Sequence, residues 1–121
     1  MNRKELIRAY KEARRPMGVY RIHNTRDDRS FVGRSVDLTA ILNRERVALR
    51  FGSHPNAALQ ADWNAVGPDA FVFEVLDTIK APDDKPDYDP TDDLRVLESM
   101  WLDRLQPFGD RGYRQRPAPK P

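Results

Sequence analysis

Residues 17–33 read MGVYRIHNTRDDRSFVG. Val19, Tyr20 and Ile22 favour extended backbone, and Thr25-Arg26-Asp27-Asp28-Arg29 is turn chemistry. Ser30-Phe31-Val32 then resumes a short strand that runs into Gly33, so the segment predicts a β-hairpin. On its C-terminal side Asp37 is placed to cap a helix, which Gly52 closes at about residue 51. His54-Pro55-Asn56 leads into a further helix, with Leu59, Trp63 and Val66 at helical spacing and Gly67 as its stop. The run AFVFEVL over 70–76 is dense in β-formers and bounded by turns, which predicts the third strand.

Residues 80–93 hold three prolines and six aspartates and read as a solvated loop. Thr91 opens a last helix that runs to about Leu105 and stops before Pro107. On the N-terminal side, Asn2 with Glu5 resembles a capping box. The helix it opens carries Leu6, Ile7 and Tyr10 on one face and ends where Pro16 biases Arg15 out of helical geometry. The element order is α-β-β-α-α-β-α. The expected class is α+β: a small three-stranded antiparallel or mixed sheet flanked by helices.

Composition narrows the function. A length of 121 residues gives one ordinary domain with a real core. The absence of cysteine excludes disulfide scaffolds, zinc ribbons and thiol nucleophiles. No apolar run approaches the ~20 residues of a membrane span, and no signal-peptide core opens the chain. The expected compartment is cytoplasmic, with no membrane partner. Net charge is only +2, but it is unevenly placed. Residues 1–54 carry 13 Lys and Arg against 6 Asp and Glu, whereas 55–110 carry 4 against 13. Asymmetry of that size marks nucleic-acid contact as a leading class.

Two glutamates break the apolar pattern. Leu38, Ile41, Leu42 and Leu49 share one sector of their helix, and Glu45 sits in the middle of it. Leu94, Leu97, Trp101 and Leu105 form a second stripe on which Glu98 falls. A carboxylate facing a core is costly unless paired, protonated or bound to metal. An arginine or tyrosine hydroxyl would satisfy such a group structurally. Alternatively, the two helices present carboxylates to one cleft, as a hydrolase requires.

The motifs together resemble those of the GIY-YIG nuclease superfamily. Gly18-Val19-Tyr20 and Phe31-Val32-Gly33 are similar to its paired signature motifs. Ser35, Asp37, the stretch from Gly52 to Asp77 and the segment LESMWLDRLQPFGDRGY over 97–113 follow in the family's order. The division implied is a basic N-terminal helix over 1–16, a GIY-YIG-like domain over 17–113 and a flexible Arg/Pro-rich tail over 114–121. The resemblance implies endonuclease activity, that is, hydrolysis of DNA phosphodiester bonds with a divalent metal, Mg²⁺ or Mn²⁺. It places the metal on Glu98, puts Tyr20 beside the metal's water as base or orienter, and has His54 line the cleft. DNA is the expected partner, with RNA the second nucleic-acid candidate.

The chain also departs from the family's pattern. The tyrosine of the second motif is Phe31, the helical arginine falls at Ile41, the following His or Tyr falls at Glu45, and the terminal Asn is Arg114. Phosphoryl chemistry depends on placed positive charge, so the missing arginine needs a substitute. Arg44, one turn from Ile41 and about 60° round the helix, is the expected one. Glu45 is expected as general base or extra metal ligand. Arg34, Arg46, Arg50 and Arg114 are the expected phosphate-tracking surface. The competing reading is a catalytically degenerate nucleic-acid-binding module on the same fold. A third is a protein-interaction domain using the acidic loop.

Overall fold

The computed structural model describes residues 2–5 and 15–116. At its centre lies a three-stranded antiparallel sheet: β1 (Met17–Asn24), β2 (Arg29–Ser35) and β3 (Phe71–Ile79), in the spatial order β2-β1-β3. The hairpin is therefore as expected, and the mixed-sheet option falls away. Helices α1 (Leu38–Arg50), α2 (Ala57–Val66) and α3 (Thr91–Leu105) follow the predicted order, with 3₁₀ turns at Pro68–Ala70 and Gly109–Arg111. At the N-terminus the capping box is formed. Glu5 N–H donates to Asn2 Oδ1 at 2.8 Å, and Asn2 N–H to Glu5 Oε2 at 3.4 Å. The apolar face expected at Leu6, Ile7 and Tyr10 lies outside the described residues, as do residues 117–121.

Helix boundaries follow their caps. Asp37 accepts the Ala40 N–H at 3.0 Å to start α1, and Asn56 accepts the Leu59 N–H at 3.0 Å to start α2. Gly67, at φ 87°, stops α2. The third strand runs three residues past the predicted Leu76. Asp77, Thr78 and Ile79 lack a continuous β-forming pattern, but they pair with Val19, Gly18 and Met17 beyond a bulge at Val19/Tyr20. Cross-strand pairing supplies there what local propensity does not.

Alternation divides the sheet into two faces. Tyr20, Ile22 and Phe31 join Leu38, Leu49, Leu59, Trp63 and Phe71 in one buried cluster beneath α1 and α2. Val19 and Val32 point the other way and are also buried. Helix α3 packs on β1 and β2 and contributes the buried Leu94.

After α3 the chain returns to the free edge of β2, and four side chains tie it there. Arg29 donates to the Gly112 carbonyl at 2.8 and 3.1 Å and to Asp62 at 2.9 Å, and stacks over the Tyr113 ring at 4.5 Å. The Tyr113 hydroxyl donates to Asp62 at 2.9 Å and accepts from the fully buried Asn24 at 3.1 Å. Burial and the Asp62 carboxylate hold the Tyr113 phenol well above its ordinary range. Gly112 is obligatory in this closure, since a Cβ there would lie 1.6 Å from the Pro107 carbonyl oxygen.

Candidate active site

The site is built on the pairing of Tyr20 with Gly33. The Tyr20 phenol lies directly across the β2 backbone. A Cβ on residue 33 would come within 2.6 Å of its oxygen and 2.7 Å of its ring. The two signature motifs are therefore one device: the glycine of the second makes room for the tyrosine of the first.

The phenol meets the carboxylate that α1 places on its core-facing stripe. Tyr20 Oη–H donates to Glu45 Oε1 at 3.4 Å. The other oxygen, Oε2, is met by His54 Nε2. His54 comes from the segment between α1 and α2, and its side chain is only 1% exposed. Its tautomer follows from its second nitrogen. The Asn56 N–H donates to His54 Nδ1 at 3.0 Å, so the ring proton sits on Nε2 and points at Glu45. Gln60 accepts the His54 N–H at 3.0 Å and locks the segment. Glu45 thus takes two hydrogen bonds on an apolar stripe, from a phenol and an imidazole rather than an arginine.

Electrostatics set the protonation of Tyr20. Burial raises its pKa most, the Glu45 charge and hydrogen bond raise it further, and Glu98 adds a smaller push. The Arg114 charge opposes them and loses. The phenol therefore keeps its proton far into the alkaline range.

Glu98 reaches the same region from α3. Its side chain is 14% exposed and its Oε1 accepts from Arg34 at 2.7 Å. Arg34, expected on the phosphate-tracking surface, is in this structure the partner of the expected metal ligand. Arg114, the first residue of the expected tail, is exposed, but its side chain is tied to β2. Its guanidinium stacks on the Phe31 ring at 4.4 Å and donates to the Val32 carbonyl at 3.0 Å. The Phe31 ring also meets His54 edge-on at 5.6 Å. Phe31 thus lacks a hydroxyl but forms the platform between histidine and arginine.

Of the remaining basic residues, Arg44 borders the site, whereas Arg46 and Arg50 do not. Arg44 is exposed, lines a small cavity of about 320 Å³ with Glu45 and His54, and has no ion pair among the described residues. Arg46 lies over the Phe73 ring at 4.5 Å and borders a different cavity with Arg15 and Asp37. Arg50 is exposed at the end of α1. The sequence marks Arg114 as a departure and as a phosphate contact, but gives no sign of its stacking on Phe31.

No family model and no curated protein matches the chain in sequence. Solved structures do. The catalytic domain of the homing endonuclease I-TevI superposes with a TM-score of 0.63 at 26% identity, covering 81% of this chain and 96% of that one. A point mutant of the catalytic domain of the intron endonuclease I-TevI gives 0.60 at 24% identity, over 75% and 84%. The fold is that of the GIY-YIG superfamily. Within this fold, Tyr20, Glu45 and His54 form one hydrogen-bonded chain, with Glu98 and Arg114 beside it. Among the described residues no helix is long and apolar enough to cross a membrane.

Proposed function

We propose that this GIY-YIG domain is a metal-dependent endonuclease that hydrolyses phosphodiester bonds in DNA. The observation that carries the reading is the Tyr20–Glu45–His54 chain beside Glu98, on a fold shared with an endonuclease catalytic domain. A phenol that holds its proton is a poor base by itself. It can nevertheless accept a water proton on its free lone pair while passing its own proton to Glu45. Glu45 is then the terminal acceptor. His54 stabilises the carboxylate beforehand and keeps its geometry.

Glu98 fits a hard divalent cation such as Mg²⁺. That ion accepts a single carboxylate and completes its shell with waters and substrate phosphate. A cage of protein ligands is not built: among the described residues, no group of three or more His, Asp or Glu could hold a metal. Bound at Glu98, the cation would supply Lewis-acid stabilisation of the phosphate. Arg34 would then exchange its carboxylate partner for a phosphate oxygen of the nucleic acid, a geometry guanidinium groups favour. The exposed Arg44 and Arg50 extend the basic surface along α1.

The second reading, a binding module with its catalytic set erased, draws on the Arg34–Glu98 ion pair and on Ile41 and Glu45 in place of the family's arginine and histidine. One experiment separates the two. Supercoiled DNA and labelled single- and double-stranded oligonucleotides are incubated with the protein in Mg²⁺, Mn²⁺ or EDTA. Metal-dependent strand breaks are the expected result. Salt-sensitive binding in EDTA without any breaks in metal would establish the module instead.

A further inference from the structure

The chain lacks an arginine at the α1 position where the family carries one, and Arg44 is a poor replacement. An exposed side chain with no fixed partner pays its ordering cost during the reaction. The side chains around Tyr20 hold a better one. Arg114 is fixed in two directions, by the face of Phe31 at 4.4 Å and by the Val32 carbonyl at 3.0 Å. Its backbone is fixed as well, because its carbonyl accepts from Gly109 at 3.2 Å and the adjoining Gly112-Tyr113 is tied down by Arg29 and Asp62.

Charge accounting points the same way. Arg29 is paired with Asp62 and Arg34 with Glu98, while Arg114 has no carboxylate partner among the described residues. Only one of its five N–H donors is engaged, so the guanidinium keeps donors free on its exposed side. Its charge is felt at Tyr20, where it favours the phenolate. The platform itself depends on Phe31, whose bare ring offers its π face to the cation.

We propose that Arg114, carried by the C-terminal loop, is the catalytic guanidinium of this chain and holds a nonbridging oxygen of the scissile phosphate. This rests on the nuclease reading above and adds the residue that reading lacks. A cation held in place before the substrate arrives stabilises charge that develops in the transition state without reorganising.

The test compares DNA nicking by the full chain, Arg114→Met and Arg44→Met under Mg²⁺, with thermal melts of each. Methionine keeps an apolar contact with Phe31 and removes the charge. The expected result is a fall in kcat of about 10²–10³-fold for Arg114→Met with KM changed only a few-fold. Nicking by Arg114→Met at near the parent rate, a loss confined to KM, or a kcat loss carried by Arg44→Met in its place would overturn the proposal; a KM rise in Arg44→Met fits its place on the basic surface and leaves the proposal standing. Should Arg114→Met fail to fold, Arg114→Lys is read in its place. It keeps charge without the planar fork, so a kcat reduced at least about tenfold is expected and full activity overturns the assignment. A parent chain that never nicks DNA removes the nuclease reading and this inference together. A parent chain that nicks alongside an equally active Arg114 variant removes the inference alone.

Discussion

At the scale of the residue, the chain turns on how one carboxylate is satisfied. Glu45 stands on a core-facing stripe, and its two oxygens meet Tyr20 and His54. Glu45→Gln keeps the shape but removes the proton acceptor, so nicking should fall about 10²–10⁴-fold with little change in melting temperature. Tyr20→Phe should lose a comparable factor, since it deletes the lone pair and the donor at once. Equal activity of Tyr20→Phe and the parent in a nicking assay would remove the relay from the mechanism. The anomaly of Glu45 was legible because helical periodicity alone exposes a charge among leucines. Its partner was not, because His54 reaches it through a folded-back segment held by Asn56 and Gln60. Arg44, one turn from the missing arginine, is exposed yet borders the same cavity as Ile41, Glu45 and His54, so counting along the helix leads to the rim of the site.

At the scale of the element, β1 is the organising strand because it pairs on both sides. The hairpin was legible from alternation and turn chemistry. The extension of β3 through Ile79 was not, since the pairing after the bulge is a tertiary effect. Gly33 links element to site: Gly33→Ala would drive a methyl group into the Tyr20 phenol. The variant should therefore be destabilised by about 1–3 kcal/mol in a denaturant titration, with the phenol displaced from Glu45. Stability and activity equal to the parent would contradict the packing described. Helix α1 depends on its cap, and Asp37→Ala should cost about 1 kcal/mol. The sequence places the loop after α3 in the domain as far as Tyr113 and reads a tail from Arg114. Asn24 and Arg29 flank one turn, but Asp62 and Tyr113 lie far from them along the chain, so only their convergence shows how the loop closes the β2 edge.

At the scale of the whole molecule, a net charge near zero conceals a division of labour. The basic first half carries Arg34, Arg44 and Arg50, and the acidic second half carries the glutamate assigned to metal. Stability should also respond to pH in one direction at the alkaline end. Tyr20 and Tyr113 both have raised pKa values in the folded state, so folding favours their protonated forms. Their contribution is complete below the unfolded phenol pKa of about 10 and is lost progressively as pH rises above it. Ultraviolet titration should show these two of the four tyrosines ionising only as the chain unfolds. Early ionisation of both with the fold intact would contradict their burial.

The claim on which the rest depends is that a single carboxylate on α3 converts this fold into a phosphodiesterase. The most direct measurement sets the full chain and Glu98→Gln side by side on supercoiled DNA, in Mg²⁺ and in EDTA. Glu98→Gln should melt within about 1 kcal/mol of the parent, because its ion pair with Arg34 is partly solvated. The account predicts nicking by the parent in Mg²⁺ alone and none by Glu98→Gln. Equal nicking by both proteins, or nicking that persists in EDTA, would contradict it.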